Sequence, residues 1–368
     1  MNRKYMKLWA LLLAVVLLAT GGVLSAGAAP RDGGDALPDS VYVGGMPFGV
    51  KFYTEGILVV GFCDVDTADG TNGNGHVNPA RDAGIRMKDV IVGVNGESPV
   101  SAASLTRAVE QSQGKPITLT VKRRLSGKDS SKGKNGECPT TQLTVTVCPV
   151  RSVSENRFKT GLWVRDSGAG IGTVTFIMPD TGAFAGLGHG ICDSDTGELI
   201  PMQRGQVTDV TVSGIERGEV GDPGAIKGYF APGKTGSLMG NTDCGVFGVF
   251  AKLPASAKTR LPVGTRHDLR EGDATLLCTL DNGKIGEYKI RITAIDRSAT
   301  GSKCFTVSVT DPSLIEKTGG IVQGMSGSPI CQNGKIVGAV THVLINDPTA
   351  GYGIFIENML RQMPAVLG

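Results

Sequence analysis

The sequence predicts a mainly β fold behind an apolar N-terminus. Three observations carry that prediction. Glycine is abundant, at 54 of 368 residues. Aromatic residues are few, at 5%. From residue 150 onward, one short Val/Ile/Thr-rich run follows another with turn residues between them. Strands favour β-branched side chains, and tight turns favour glycine. The glycines follow no G-X-Y period, which excludes a collagen-like chain. Hydrophobic residues, at 40%, can build a sizeable core, and charged residues, at 19%, are too few for a disordered polyelectrolyte. A net charge of +3, from 37 basic and 34 acidic side chains, leaves no basic footprint, so no nucleic-acid partner is expected.

In chain order, residues 1–29 come first. Arg3, Lys4 and Lys7 precede the apolar run LWALLLAVVLLA (8–19), and Ala26-Gly27-Ala28 has the small-residue form of a cleavage site. This is a signal peptide or a retained membrane anchor. In either case the positive end stays in the cytoplasm and the body is exported. Residues 30–40 read as a polar linker rich in Gly and Pro. Residues 41–124 form a compact alternating region with helical periodicity at 101–112. Residues 125–149 hold a charged small-residue loop (126–137) and a connecting strand, TTQLTVTV (140–147). Residues 150–368 read as strands throughout, apart from a helix near 357–366.

The eight cysteines (63, 138, 148, 192, 244, 278, 304, 331) include no CxxC pair, so no zinc knuckle and no metal site is expected. Cys138 and Cys148 flank the connecting strand; they either pair or are free thiols. GTNGNG (70–75) lacks the Lys-Ser/Thr of a phosphate cradle, and no cofactor is expected.

The stretch NPARDAGIRMKDVIVGVNGESPVSAASLTRAVEQSQGKPITLTVKR orders a Pro79 turn, an Ala83-Gly84-Ile85 step, a strand, an Asn95-Gly96 turn, a helix ended by Gly114 and a further strand. Over 41–124 this order resembles the permuted PDZ domains attached to bacterial exported proteases. Such domains add an extended peptide to a sheet edge. The resemblance implies that Gly45, Phe48, Gly49 and Val50 lie in the loop that receives a peptide carboxylate, with the strand from Gly49 to Phe52 pairing with the ligand. The alternative is a PDZ fold with a blocked groove, used only for packing.

Residues 323–330 read Gln-Gly-Met-Ser326-Gly-Ser328-Pro-Ile. The pattern G-x-S-G-x-P is similar to the nucleophile loop of chymotrypsin-like serine proteases, which implies two β-barrels with the site between them. A serine needs a base to become a nucleophile and donors to hold the oxyanion that follows. The backbone N–H groups of Gly324 and Ser326 are the expected oxyanion hole. Ser328 competes with Ser326, but it sits where that fold has a small residue. Among four histidines, His189 in FAGLGHG lies at a strand end well ahead of Ser326 and is the expected base. His76 reads as a surface residue, His267 as part of a polar turn, and His342 as a core or groove histidine. The acid stays open. Asp311 precedes the nucleophile segment, whereas Asp243 better fits the chain order of a barrel that also holds its histidine. Asp193 and Asp195 fall in the turn beyond His189.

The boxes FAGLGHGICDSDTGELIP, TDPSLIEKTGGIVQGMSGSP and THVLINDPTAGYGIFIE, behind the PDZ-like region, resemble the stage IV sporulation protein B family of sporulation signalling serine peptidases. The resemblance implies a catalytic triad of His189, Asp311 and Ser326. It implies an exported protein in the space between forespore and mother cell that cleaves itself and a membrane-bound regulator of an intramembrane protease, so triggering processing of a sigma factor precursor. Its partners would then be protein or peptide substrates, that regulator and its own N-terminal region, with the PDZ domain targeting the substrate and restraining the peptidase. The competing expectation is a non-catalytic peptide-binding adaptor on a degenerate protease fold. A housekeeping protease of the high-temperature-requirement type is disfavoured, because its PDZ domains follow the protease domain.

Overall fold

The computed structural model describes residues 37–68, 76–98, 100–125, 139–281 and 283–367. The expected signal or anchor segment (1–29), residues 30–36 of the expected linker, the stretches expected as loops at 70–75 and 126–137, and Cys138 lie outside the described residues. No helix among the described residues is long and apolar enough to cross a membrane.

The chain opens with β1 (Ser40–Val43) and the long β2 (Pro47–Phe62). The short pair β3 (Val65–Asp66) and β4 (His76–Val77) follows, then α1 (Pro79–Asp82), β5 (Val90–Val94), α2 (Ala102–Ser112), β6 (Ile117–Arg124) and β7 (Thr140–Val147). A second short pair, β8 (Val150–Arg151) and β9 (Phe158–Lys159), leads into the long β10 (Leu162–Ile177). Next come β11 (Ala183–Gly186), β12 (Met202–Glu216), β13 (Ala225–Phe230), β14 (Gly236–Thr242), β15 (Gly245–Phe250) and β16 (Arg260–Pro262). The last part holds β17 (Gly272–Thr279), β18 (Ile285–Ile295), β19 (Phe305–Val309), α3 (Pro312–Thr318), β20 (Pro329–Gln332), β21 (Lys335–Leu344), β22 (Asp347–Phe355) and α4 (Ile356–Leu367).

Two rings of strands result. The second is a closed barrel in the order β17-β18-β19-β22-β21-β20. The first runs β10-β11-β15-β14-β12-β2 and closes because β2 also pairs with β10. Closure leaves no free edge in either ring. Phe48 and Phe184 meet edge to face at 5.7 Å inside the first ring, with Phe250 at 4.5 Å from Phe184. Phe48 is only 2% exposed, so its burial contributes roughly 1.5–3 kcal/mol. In the second ring Phe305 packs on Phe355 at 5.6 Å.

A lobe is spliced into the first ring rather than set before it. Both β2 and β10 run from the ring into the lobe. The first part of β2 pairs with β12 from Met202↔Thr54 to Asp209↔Phe48, while Ile57 and Leu58 pair with β5. Gly56 lies between the two parts at φ +106, where a side chain would collide with the Ile91 carbonyl. Only glycine takes that bend without strain. Beyond it, β2, β5, β6 and β7 form a sheet over α2, with Ile57, Ile91, Leu105, Val109, Leu119 and Val121 in its core. Helix α2 begins at Ser101, whose hydroxyl accepts from Ser104 N in a reciprocal capping box. Residues 41–124 and 150–368 therefore do not divide the fold into successive units: strand residues 47–54 belong to the barrel that was expected to begin at 150.

That placement corrects the expected peptide site. Gly45 donates to Val174 O at 2.8 Å and accepts from Thr279 Oγ1 at 2.9 Å. Gly49 pairs with Ile171 on one side and Thr208 on the other; Val50 pairs with Gly170 and Val207. Phe48 is buried in the ring. A peptide can join a sheet only at an open edge, and both edges of this strand are filled. Gly45, Phe48, Gly49 and Val50 close a barrel and do not form a carboxylate cradle.

Candidate active site

The nucleophile loop lies between the rings, sewn to β10 by two threonines. Thr173 N donates to Ser326 O at 3.0 Å and Thr173 Oγ1 donates to Gly324 O at 2.8 Å. Thr175 Oγ1 donates to Gly327 O at 2.7 Å. On its other side Gln323 N donates to Gly224 O and Ile226 N to Gln323 O, so β13 flanks the loop. With their carbonyls held this way, the amides of Gly324 and Ser326 have no protein acceptor among the described residues. They remain as donors for an oxyanion. Gly324 and Gly327 adopt φ values of +98 and +93, and a side chain at Gly327 would run into Thr173 O and Leu187 N.

Ser326 is half-buried and its Oγ donates to Thr341 O at 2.8 Å. Ser328 is fully buried with an unpartnered hydroxyl, which removes it as the nucleophile. His189 follows β11 and shares with Ser326 a cleft of ≈ 520 Å³. Val50, Ile171, Leu187 and Gly324 form part of its wall. The His189 Nδ1 lies 2.8 Å from Gly190 O. A carbonyl oxygen only accepts, so this contact assigns the proton to Nδ1 and leaves the Nε2 lone pair able to accept one. Burial pulls the His189 pKa below its usual value, against the opposing effect of the Gly190 carbonyl.

The His342 ring rests against that of His189, with centroids 4.7 Å apart and planes at 37°. Its Nδ1 is buried without a partner. Burial, then the neighbouring His189 and Lys303, push its pKa down to about 4. His76 and His267 are exposed and make no part of the cleft.

Asp311 is not beside the imidazole. It is the N-cap of α3: its carboxylate accepts from Ser313 N at 3.0 Å, Leu314 N at 3.3 Å and Lys289 N at 3.1 Å. The Ser313 hydroxyl and these amides hold its pKa below the usual carboxylate value. His342 pairs with Tyr352 and Tyr352 with Thr306. Asp311 lies five residues past that row, about 16 Å along the strand direction. Asp243 is placed beside the segment that follows His189. It occupies the turn between β14 and β15, and that turn packs on the segment after His189. Asn241 Oδ1 accepts from Ile191 N, and its Nδ2 donates to Ile191 O, both at 2.8 Å. A side chain at Gly190 would meet Thr242 O at 2.8 Å. The charge of Asp243 also adds to the burial that raises the Cys192 thiol pKa.

Thr173, Thr175, Asn241 and Thr341 all build the site, and sequence reading passed over them. Each sits within a strand, and only tertiary pairing brings its polar group to the Ser326 loop or to the segment after His189. No group of three or more His, Cys, Asp or Glu suited to a metal ion occurs among the described residues.

Residues 156–360, more than half of the chain, match the family model described as SpoIVB peptidase S55. The chain belongs to the SpoIVB peptidase S55 family. It is a serine peptidase. No curated protein matches the sequence of this S55 peptidase. Similar solved structures include the Rv3671c protease of M. tuberculosis in its active form, 14% identical, covering 74% of this chain and 89% of that one at a TM-score of 0.31. The inactive form of Rv3671c is 16% identical over 54% of this chain and 85% of that one, at 0.27. The HtrA-type protease AlgW with a decapeptide is 12% identical over 73% and 68%, at 0.33.

Proposed function

We propose that this S55 peptidase is an exported serine endopeptidase acting between forespore and mother cell. There it cleaves itself and a membrane-bound regulator of an intramembrane protease, and so starts sigma factor precursor processing. Family membership supports the biological setting. One observation carries the chemistry: His189, with Nε2 open, and Ser326, beside two unpartnered amides, line the same cleft.

A turn about χ1 of Ser326 exchanges its Thr341 hydrogen bond for one to His189 Nε2. The imidazole takes the hydroxyl proton as Oγ attacks the scissile carbonyl, and the amides of Gly324 and Ser326 receive the oxyanion. His189 then protonates the leaving amine. Water, deprotonated by the same imidazole, releases the acyl group. We assign Asp243 as the acid: it orients His189 once the Nδ1–H turns from the Gly190 carbonyl to its carboxylate, and Asp311 serves α3.

The spliced lobe is PDZ-like in its strand and helix order. The β2 edge that a PDZ ligand would join is already taken by Leu162–Arg165 of β10, and Leu162 and Val164 pack against the core that includes Leu105 and Val109 of α2. The lobe thus serves as a packed regulatory body, and a peptide enters that edge only by displacing the chain's own strand. A fluorophosphonate probe tests the chemistry. Wild type should be labelled and Ser326→Ala should not; an unlabelled wild type, or a labelled Ser326→Ala, overturns the assignment.

A further inference from the structure

The segment after His189 is a closed hairpin with an acidic tip. Ile200 N donates to Ile191 O at 3.0 Å, Asp193 N to Glu198 O at 2.9 Å and Gly197 N to Asp193 O at 2.8 Å. These bonds tie Ile191–Ile200 into one hairpin, and its first residue is two positions from the catalytic imidazole. The tip carries Asp193, Asp195 and Glu198.

Three cations grip that tip, all from the spliced lobe or its junction with the ring. Lys88, in the turn before β5, places Nζ 2.7 Å from Glu198 Oε1. Arg124, at the end of β6, pairs with Glu198 Oε2. Arg165 on β10 pairs with Asp193 Oδ2 and reaches Asp195 Oδ2 at 2.9 Å. Asp193 is 1% exposed, and its other oxygen accepts from Asp195 N, Thr196 N and Thr196 Oγ1 at 3.1, 2.9 and 3.0 Å. A buried carboxylate held this way needs its cation, because an unpaired buried charge is strongly unfavourable. The grip also extends backward. Asp166, next to Arg165, accepts from Ala102 N at the start of α2 at 2.8 Å. Neighbouring residues of β10 therefore hold both ends: Asp166 caps the start of α2 and Arg165 pairs with Asp193 of the His189 hairpin.

We propose that this clasp makes Arg165, Lys88 and Arg124 positioning residues for His189, so that the lobe sets the competence of the peptidase through the placement of one hairpin. The proposal rests on the serine peptidase reading of His189 and Ser326. Magnitudes separate it from a purely structural role. Exposed ion pairs such as Lys88–Glu198 contribute little to stability. A catalytic group misplaced by ~1 Å loses on the order of 10²-fold in rate. Glu198, Lys88 and Arg124 do not line the cleft, so their loss cannot act through lost substrate contact.

The test uses the full chain in detergent micelles, with fluorophosphonate labelling of Ser326, turnover of fluorescein-labelled casein and thermal melting read in parallel. Glu198→Gln should lower the labelling rate and kcat by ~10-fold or more, with KM and Tm close to wild type. Arg165→Lys should keep most of the activity and Arg165→Ala should lose it. The exchange Arg124→Glu with Glu198→Arg should recover labelling relative to Glu198→Arg alone. Labelling of Glu198→Gln at the wild-type rate, or a loss of activity in every variant that merely tracks a fall in Tm, overturns the clasp. Wild type that does not label overturns the peptidase reading and the clasp together; wild type and Glu198→Gln that label equally overturn the clasp alone.

Discussion

At the scale of single residues, the site depends on which hydrogen bond each side chain has already made. Asp311 illustrates this. An aspartate followed by proline and a helical segment is a helix N-cap with proline at the first helical position, and Gly319 ends that helix at φ +76. The pattern is legible in TDPSLIEKTGG, whereas the family resemblance implies a catalytic role for Asp311. Asp311→Ala should cost about 1 kcal/mol of stability in denaturant unfolding and leave fluorophosphonate labelling unchanged. Asp243→Asn should slow labelling by ~10²–10⁴-fold, the scale for losing the group that orients a catalytic imidazole; equal labelling of Asp243→Asn and wild type would remove it from the triad. The histidines give pH dependences of known sign. His189 must be neutral to accept a proton, and its lowered pKa keeps it neutral to more acidic pH, so the acid limb of the rate profile should have its midpoint below ~6.5. For His342, folded pKa about 4, the unfolded chain binds protons first as pH falls. Stability from its neutral burial is full above ~6.5 and is lost progressively down to about 4. In His342→Phe, melting temperature should fall less steeply across that window than in wild type.

At the scale of elements, backbone conformation explains why glycines cluster around the nucleophile. Gly327 stands at φ +93 against Thr173 O and Leu187 N. Gly327→Ala should be destabilised by at least ~1–3 kcal/mol from the backbone alone, with activity lost as the loop is pushed off β10; a variant melting like wild type would contradict the contact. Helical periodicity shows at 101–112, where Ser101 and Gly114 mark the ends, and at 357–366 from the periodicity alone. Helix α3, seven residues long, was too short to show a period and was betrayed only by its cap. Strand β2 was misassigned for a different reason. PFGVKFYTEGILVVGF alternates only in part and then runs apolar through ILVV; such a pattern reports that a strand is buried, not which sheet buries it.

At the scale of the whole molecule, splicing a lobe between β2 and β10 joins it to catalysis by two continuous strands and by the charges around Glu198. A fragment of residues 150–368 lacks β1 and β2, leaving β10 and β12 with exposed edges where β2 should close the ring. It should fail to melt cooperatively and should aggregate. A fragment that melts cooperatively and labels with fluorophosphonate would show that β2 is dispensable. The sequence by itself determined the β-rich class, the serine and histidine of the site and the glycines that shape its loop, since each depends on residue type within a few positions. Tertiary structure alone decided that the apparent leading domain is an insertion, that Asp311 caps α3 rather than orienting His189, and that threonines and arginines on distant strands hold the loops in place. Those outcomes depend on which strands become neighbours, and pairing partners are chosen by the closure of the rings rather than by any local stretch of chain.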